Sequence, residues 1–92
     1  MSYVFETEKY AVISTIHIEP TTAAKLTGFP IVCEEMAHRF RIGHIAGIDD
    51  KAALPDDLRG VIDCVRAIDP ECYGIMIDSD GPEVPGLARY DW

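Results

Sequence analysis

Residues 10–18, Tyr-Ala-Val-Ile-Ser-Thr-Ile-His-Ile, form a nearly continuous apolar run rich in β-branched side chains. Branching at Cβ restricts χ1, which disfavours a helix and suits the pleated surface of a sheet. The run is far shorter than the ~20 apolar residues that cross a bilayer. It therefore predicts a central strand, buried on both faces for part of its length. The rest of a 92-residue chain has to supply the cover for that strand. A chain of this length makes one domain, 1–92, with residues 1–9 a polar lead-in and 79–92 an irregular tail. With 48% hydrophobic and 26% charged residues, it has the balance of a globular protein and not of a disordered one.

The cover is readable from punctuation and period. Glu19-Pro20-Thr21-Thr22 predicts a helix start, with a threonine hydroxyl capping the free amides, and Gly28 and Pro30 close that helix early. The run from Arg39 to Ile45 alternates, with Phe40, Ile42 and His44 on one face and Arg39, Arg41 and Gly43 on the other. Together with Ile31–Glu35 it predicts a hairpin turning at Met36-Ala37-His38. The alternative is a short helix over Cys33–Phe40, favoured by Glu34-Glu35-Met36-Ala37. Gly47–Lys51 is a loop. From Pro55 the period becomes helical, placing Leu58, Val61, Ile62, Val65 and Ile68 on one stripe until Asp69-Pro70 ends it. Asp56 and Asp57 fall in the first turn, where carboxylates suit the helix dipole. Tyr73–Ile77 is a last buried strand. The order strand, helix, strand, strand, helix, strand predicts an α/β chain of the α+β two-layer kind. Two crossover units share about four strands, in a ferredoxin-like or similar arrangement.

Charge bears on partners. The net charge of −8 is carried mainly by residues 49–92, with eleven acids against four bases, while residues 1–48 have five against four. Such a field disfavours direct contact with nucleic acid or anionic membrane and favours a basic protein partner. Solubility alone is the simpler reading of the same charge. The start of the chain lacks the basic and apolar regions of a signal peptide, and Cys33, Cys64 and Cys72 are an odd number with no CxxC. These thiols fit a reducing compartment, so a cytoplasmic protein is expected.

Few residues look chemical. In Asp78-Ser79-Asp80-Gly81-Pro82-Glu83, two carboxylates two apart can converge on a divalent cation, but the remaining ligands of a calcium loop are missing. An Asp-x-Asp-Gly sequence is more simply a capped reverse turn. His17, His38 and His44 match no zinc spacing with the cysteines and read as hydrogen-bonded or surface histidines. Cys64, in the middle of the second helix, reads as a core thiol. Arg39 and Arg41 make a small basic strand edge, with Glu34 or Glu35 as cross-hairpin partners. The sequence shows no nucleophile–base pair, so no enzyme, cofactor or metal is expected. Tyr90-Asp91-Trp92 brings two large aromatics, which either dock on the domain or anchor a partner.

Ile13–Thr22, with Ser14-Thr15-Ile16-His17 and Pro20-Thr21, and the late Asp78–Pro82 and Tyr90-Asp91-Trp92 carry a resemblance. They resemble a family of short uncharacterised bacterial proteins encoded largely on plasmids, integrative elements and other mobile DNA. In that family a Ser-Thr-x-His strand end precedes a Pro-Thr helix start, and an Asp-x-Asp-Gly-Pro turn precedes a Tyr-Asp-Trp-like end. Residues 30–72 match only in their pattern of elements. The resemblance implies an accessory protein of mobile DNA and transfers no catalytic role. With the acidity, it leads to the expectation of a non-enzymatic inhibitor of a host defence protein, of anti-CRISPR or anti-restriction type. Such an inhibitor acts by contact with a basic nucleic-acid-binding surface. The candidate partner-binding residues are Asp56, Asp57, Asp78, Asp80, Glu83, Tyr90 and Trp92. The alternatives are a small-ligand or divalent-cation module using Asp78–Glu83, or a homo-oligomeric structural protein, such as a homodimer formed through an open sheet edge.

Overall fold

β-Branched and apolar residues form four short strands: β1 (Tyr10–Ser14), β2 (Val32–Met36), β3 (Arg39–Gly43) and β4 (Gly74–Asp78). A computed structural model describes residues 7–37, 39–48 and 51–92. Residues 1–6 of the lead-in expected at 1–9, His38 of the hairpin turn, and Asp49 and Asp50 of the acidic half lie outside the described residues. Two helices, α1 (Pro20–Ala23) and α2 (Asp56–Ile68), complete the expected order of elements in an α+β fold. The hairpin is realised in preference to the short helix. β2 pairs antiparallel with β3 from Val32 opposite Gly43 to Met36 opposite Arg39.

The strand order is β1-β4-β3-β2. It is not the order two crossover units would give. β3 and β4 are antiparallel neighbours joined through α2, and the parallel pair is the first strand with the last, Tyr10 beside Gly74 through Ser14 beside Asp78. β1 is consequently an edge strand and not the central one its apolarity predicts. Its run is used in two ways. Ile13 is buried toward the helices, while Val12 on the opposite face stays 44% exposed. The chain then leaves the sheet in a 3-10 turn, Thr15–His17, which delivers Ile18 to the core. Arg39 and Arg41 likewise lie on the interior strand β3 and not on an edge. Arg41 pairs with Glu34, directly opposite on β2, and Arg39 with Asp78.

The core lies between one face of the sheet and α2. Ile13, Ile42, Ile75 and Ile77 alternate onto that face and meet Leu58, Val61, Ile62 and Val65 of the helical stripe. Each fully buried aliphatic of this set contributes roughly 1.5–3 kcal/mol before the cost of ordering it. Ile68, expected on the same stripe, is 72% exposed. Asp56 and Asp57 occupy the first turn of α2 as expected. α1 is a single turn whose N-cap, Glu19, makes no side-chain cap. The expected threonine cap is absent, and Pro20 opens the helix instead. Asp57 reaches across from α2, and its Oδ2 accepts the Glu19 N–H at 2.8 Å.

Candidate functional site

One end of the fold collects most of the residues singled out above. β1 and β4 are parallel and finish together there, and Asp57 ties the start of α2 to Glu19, just beyond β1. The irregular C-terminal stretch returns to the same end. The Ser14 N–H donates to the Pro82 carbonyl at 2.9 Å, and the Tyr90 N–H to that of Ile16 at 2.8 Å. The Trp92 indole N–H donates to the Ile18 carbonyl at 2.9 Å. The central device is His17, only 1% exposed. Its Nε2 accepts the Val84 N–H at 2.8 Å, and its Nδ1 stands 2.8 Å from the Ala88 carbonyl oxygen. A neutral imidazole with the proton on Nδ1 satisfies both partners at once.

The candidate residues divide sharply by exposure. Asp78 is buried, with its Oδ2 2.7 Å from Arg39 and its Oδ1 accepting the Asp80 N–H at 2.9 Å. Its carboxylate therefore shapes the turn and offers nothing to a partner. The turn closes tightly on β1, since a Cβ on Gly81 would come within 2.5 Å of the Ile13 carbonyl oxygen. Asp80 and Glu83 are exposed, and Glu83 pairs with Arg89 at 3.4 Å. Asp56 is exposed and pairs with Arg59 one turn along α2. Tyr90 is half-buried. Trp92 docks through its N–H yet remains 60% exposed. Among the described residues, no ion pair engages the exposed Glu19, Asp80 or Asp91. This end thus presents a tethered indole that shares a concavity with α1, Glu35 and Phe40. Glu19 and Asp91 adjoin its anchor Ile18 and the tryptophan itself in the chain, and Asp80 lies on the turn after β4.

Elsewhere the chemistry is quiet. Burial raises the pKa of the Cys72 thiol, and burial followed by the charge of Glu35 raises that of Cys33. Both are therefore poor nucleophiles. All three cysteines are free, Cys64 half-buried. Among the described residues, no group of three His, Cys, Asp or Glu side chains is placed to hold a metal ion. His44 adopts φ 50° and stacks on Tyr73, with ring centroids 5.6 Å apart and planes 3° from parallel. No described helix is long and apolar enough to cross a membrane.

A second concavity, which the periodicity does not announce, runs beside β1. It is an apolar cavity of about 350 Å³ between the C-terminal half of α2 and the returning tail, lined by Ala11, Val12, Cys64, Ile68, Val84 and Leu87. The one hint in the sequence is an isoleucine placed immediately before the Asp69-Pro70 stop.

The β1–His17 segment and the Asp78–Trp92 segment interlock at this end of the fold. The family described as a family of unknown function (DUF5983), C-terminal domain, matches residues 10–92. The chain belongs to this family. No curated protein and no solved structure matches it. The DUF5983 match begins at the first residue of β1, so it takes in every element of the sheet and the whole of the returning tail.

Proposed function

We propose that this DUF5983 domain is a non-enzymatic protein-binding module, an accessory of mobile DNA that inhibits a host defence protein. It acts by covering a basic nucleic-acid-binding surface of an effector or nuclease, in the cytoplasm. The observation that carries this reading is Trp92. Its indole N–H is already satisfied by Ile18, its ring stays largely exposed, and it stands at the end bearing Glu19, Asp80 and Asp91. A tethered aromatic loses little freedom on binding, and aromatic anchors dominate interface energetics. The carboxylates of that end supply steering toward a basic partner. A cation-binding role for Asp78–Glu83 finds no support in the turn, because the Asp78 carboxylate is engaged by Arg39 and by the Asp80 amide.

The test is a tagged pull-down from the native host lysate at low and high salt, using wild type and the triple variant D80K/D91K/W92A. One basic nucleic-acid-binding protein should be retained at low salt, reduced at high salt and lost with the variant. Trp92→Ala alone should weaken the purified pair about 30-fold, equivalent to ~2 kcal/mol. Equal retention by wild type and triple variant would overturn the reading.

A further inference from the structure

β1 has an outer edge that the rest of the sheet does not use. The Lys9 carbonyl accepts from Tyr73 and Gly74, on the β4 side. Alternation then turns the backbone N–H and C=O groups of Tyr10, Val12 and Ser14 away from β4. Ser14 is satisfied there by Pro82. For Tyr10 and Val12, no backbone partner stands on that side among the described residues.

The two edges of the sheet are also protected differently. β2, the opposite edge, carries Glu34 and Glu35 and follows Pro30, features that discourage a further strand. β1 reads Tyr-Ala-Val-Ile-Ser, with no charge and no proline. Beside it lies the apolar cavity, roofed by the exposed Ile68 and floored by Val84 and Leu87 of the tail. An open strand edge with an adjoining apolar slot is the arrangement that receives an added strand. Main-chain hydrogen bonds supply affinity, and alternate side chains enter the slot.

We infer that β1 and its groove bind an extended segment of a partner protein, apolar at alternate positions and flanked by basic residues. The flanks follow from the charges at the two ends of the slot. Exposed Glu8 and Glu71 stand near the Tyr10 end, and exposed Asp80 stands near the Ser14 end. The bases beside them, Lys9 and Arg89, are paired with Asp69 and Glu83. The same charges select against a second copy of this chain. An antiparallel β1–β1 pair would bring the Glu8 and Glu71 end of one copy onto the Asp80 end of the other. Like charges so juxtaposed oppose association. The groove shares only the flanking Asp80 with the surface around Trp92, none of its lining residues, and its occupancy does not depend on the role proposed for that end.

The test begins with selection of displayed random twelve-residue peptides on the purified full chain. The enriched peptides should alternate aliphatic residues and carry Lys or Arg at both ends. Their binding should shift the backbone amide signals of Tyr10–Ile13, Val84 and Leu87. N-methylation of a selected peptide at the residues facing β1 should weaken binding roughly tenfold, and at the intervening residues far less. Ile68→Lys, which suits a helix C-terminus, should weaken binding about tenfold while leaving the fold intact. The charge reversals D80K/D91K, which test the acidic end, should move the affinity of an apolar control peptide little. Failure to enrich any peptide, enrichment mapped to another surface, or indifference to the position of N-methylation would each overturn the inference. So would a concentration-dependent dimer with protected Tyr10 and Val12 amides, which would assign the edge to a second copy.

Discussion

A single buried imidazole decides where the tail lies. His17 accepts from Val84 and faces the Ala88 carbonyl, partners 67 and 71 residues later in the chain. His17→Ala removes both contacts and leaves a peptide N–H and a carbonyl to find water or remain unpaired, at roughly 1–3 kcal/mol for each group left buried. We expect a lower urea midpoint and faster hydrogen exchange at the Val84 amide, with the amides of β4 less affected. Unchanged exchange at Val84 would show that the tail is held by other means. The sequence marks His17 only as a hydrogen-bonded or surface histidine, because a strand-end histidine carries no sign of partners so distant. Asp78 shows the same limit more sharply. Its spacing from Asp80 suits both a cation loop and a self-capped turn, and no local pattern announces that the β3–β4 pairing brings Arg39 alongside its carboxylate.

At the level of elements, local signals and distant ones part company. The stripe of α2 and the alternation of β3 are periodic, so most of each face can be read directly, and Leu58, Val61, Ile62 and Val65 are buried as that period requires. Ile68 and His44, expected on those faces, lie at the last residue of α2 and just past the end of β3, and both are exposed. Leu58→Ala should cost about 2–5 kcal/mol in chemical unfolding, since Leu58 has no exposed surface to lose. Strand order has no such local signature. β1 looks central because both its faces are apolar, yet it ends at an edge because only β4 pairs with it. The missing threonine cap has a local cause, since the helix begins at Pro20 with Glu19 as its N-cap and both threonines fall inside its single turn.

The junction between the start of β1 and the end of α2 adds a pH dependence. Lys9 and Asp69 form an ion pair there, and its hydrogen bond is the main cause that lowers the Asp69 pKa and raises that of Lys9. A depressed carboxylate contributes stability above the ordinary carboxylate range, near ~4, and loses it as the pH falls through its folded value. A raised lysine contributes below ~10.4 and loses it as the pH rises through its folded value. Lys9→Met should therefore be less stable than wild type between those limits, with the difference shrinking on acidification. A difference that persists undiminished in acid would assign it to packing and not to charge.

For the molecule as a whole, the distribution of charge is legible in the sequence, and the concavities are not. The excess of acids in residues 49–92 is a matter of counting. Which of them face outward depends on the fold, which buries Asp78 and leaves Asp80 and Glu83 exposed. The groove beside β1 is less legible still, because its walls come from β1, α2 and the tail, and no local pattern joins them.

The pairing of the first strand with the last also dictates an order of events during synthesis. Tyr10 must wait for Gly74, and Ser14 for Asp78, while β2 and β3 can close as soon as the ribosome has released them. Sheets completed by such distant contacts form slowly, because loop closure is paid in entropy before the pairing rewards it. A nascent chain therefore carries an uncharged segment, Tyr10–Ser14, in the open until residues 74–78 have been released to pair with it. That interval adds to the open edge of the finished fold a second occasion on which the same segment can pair with a foreign strand.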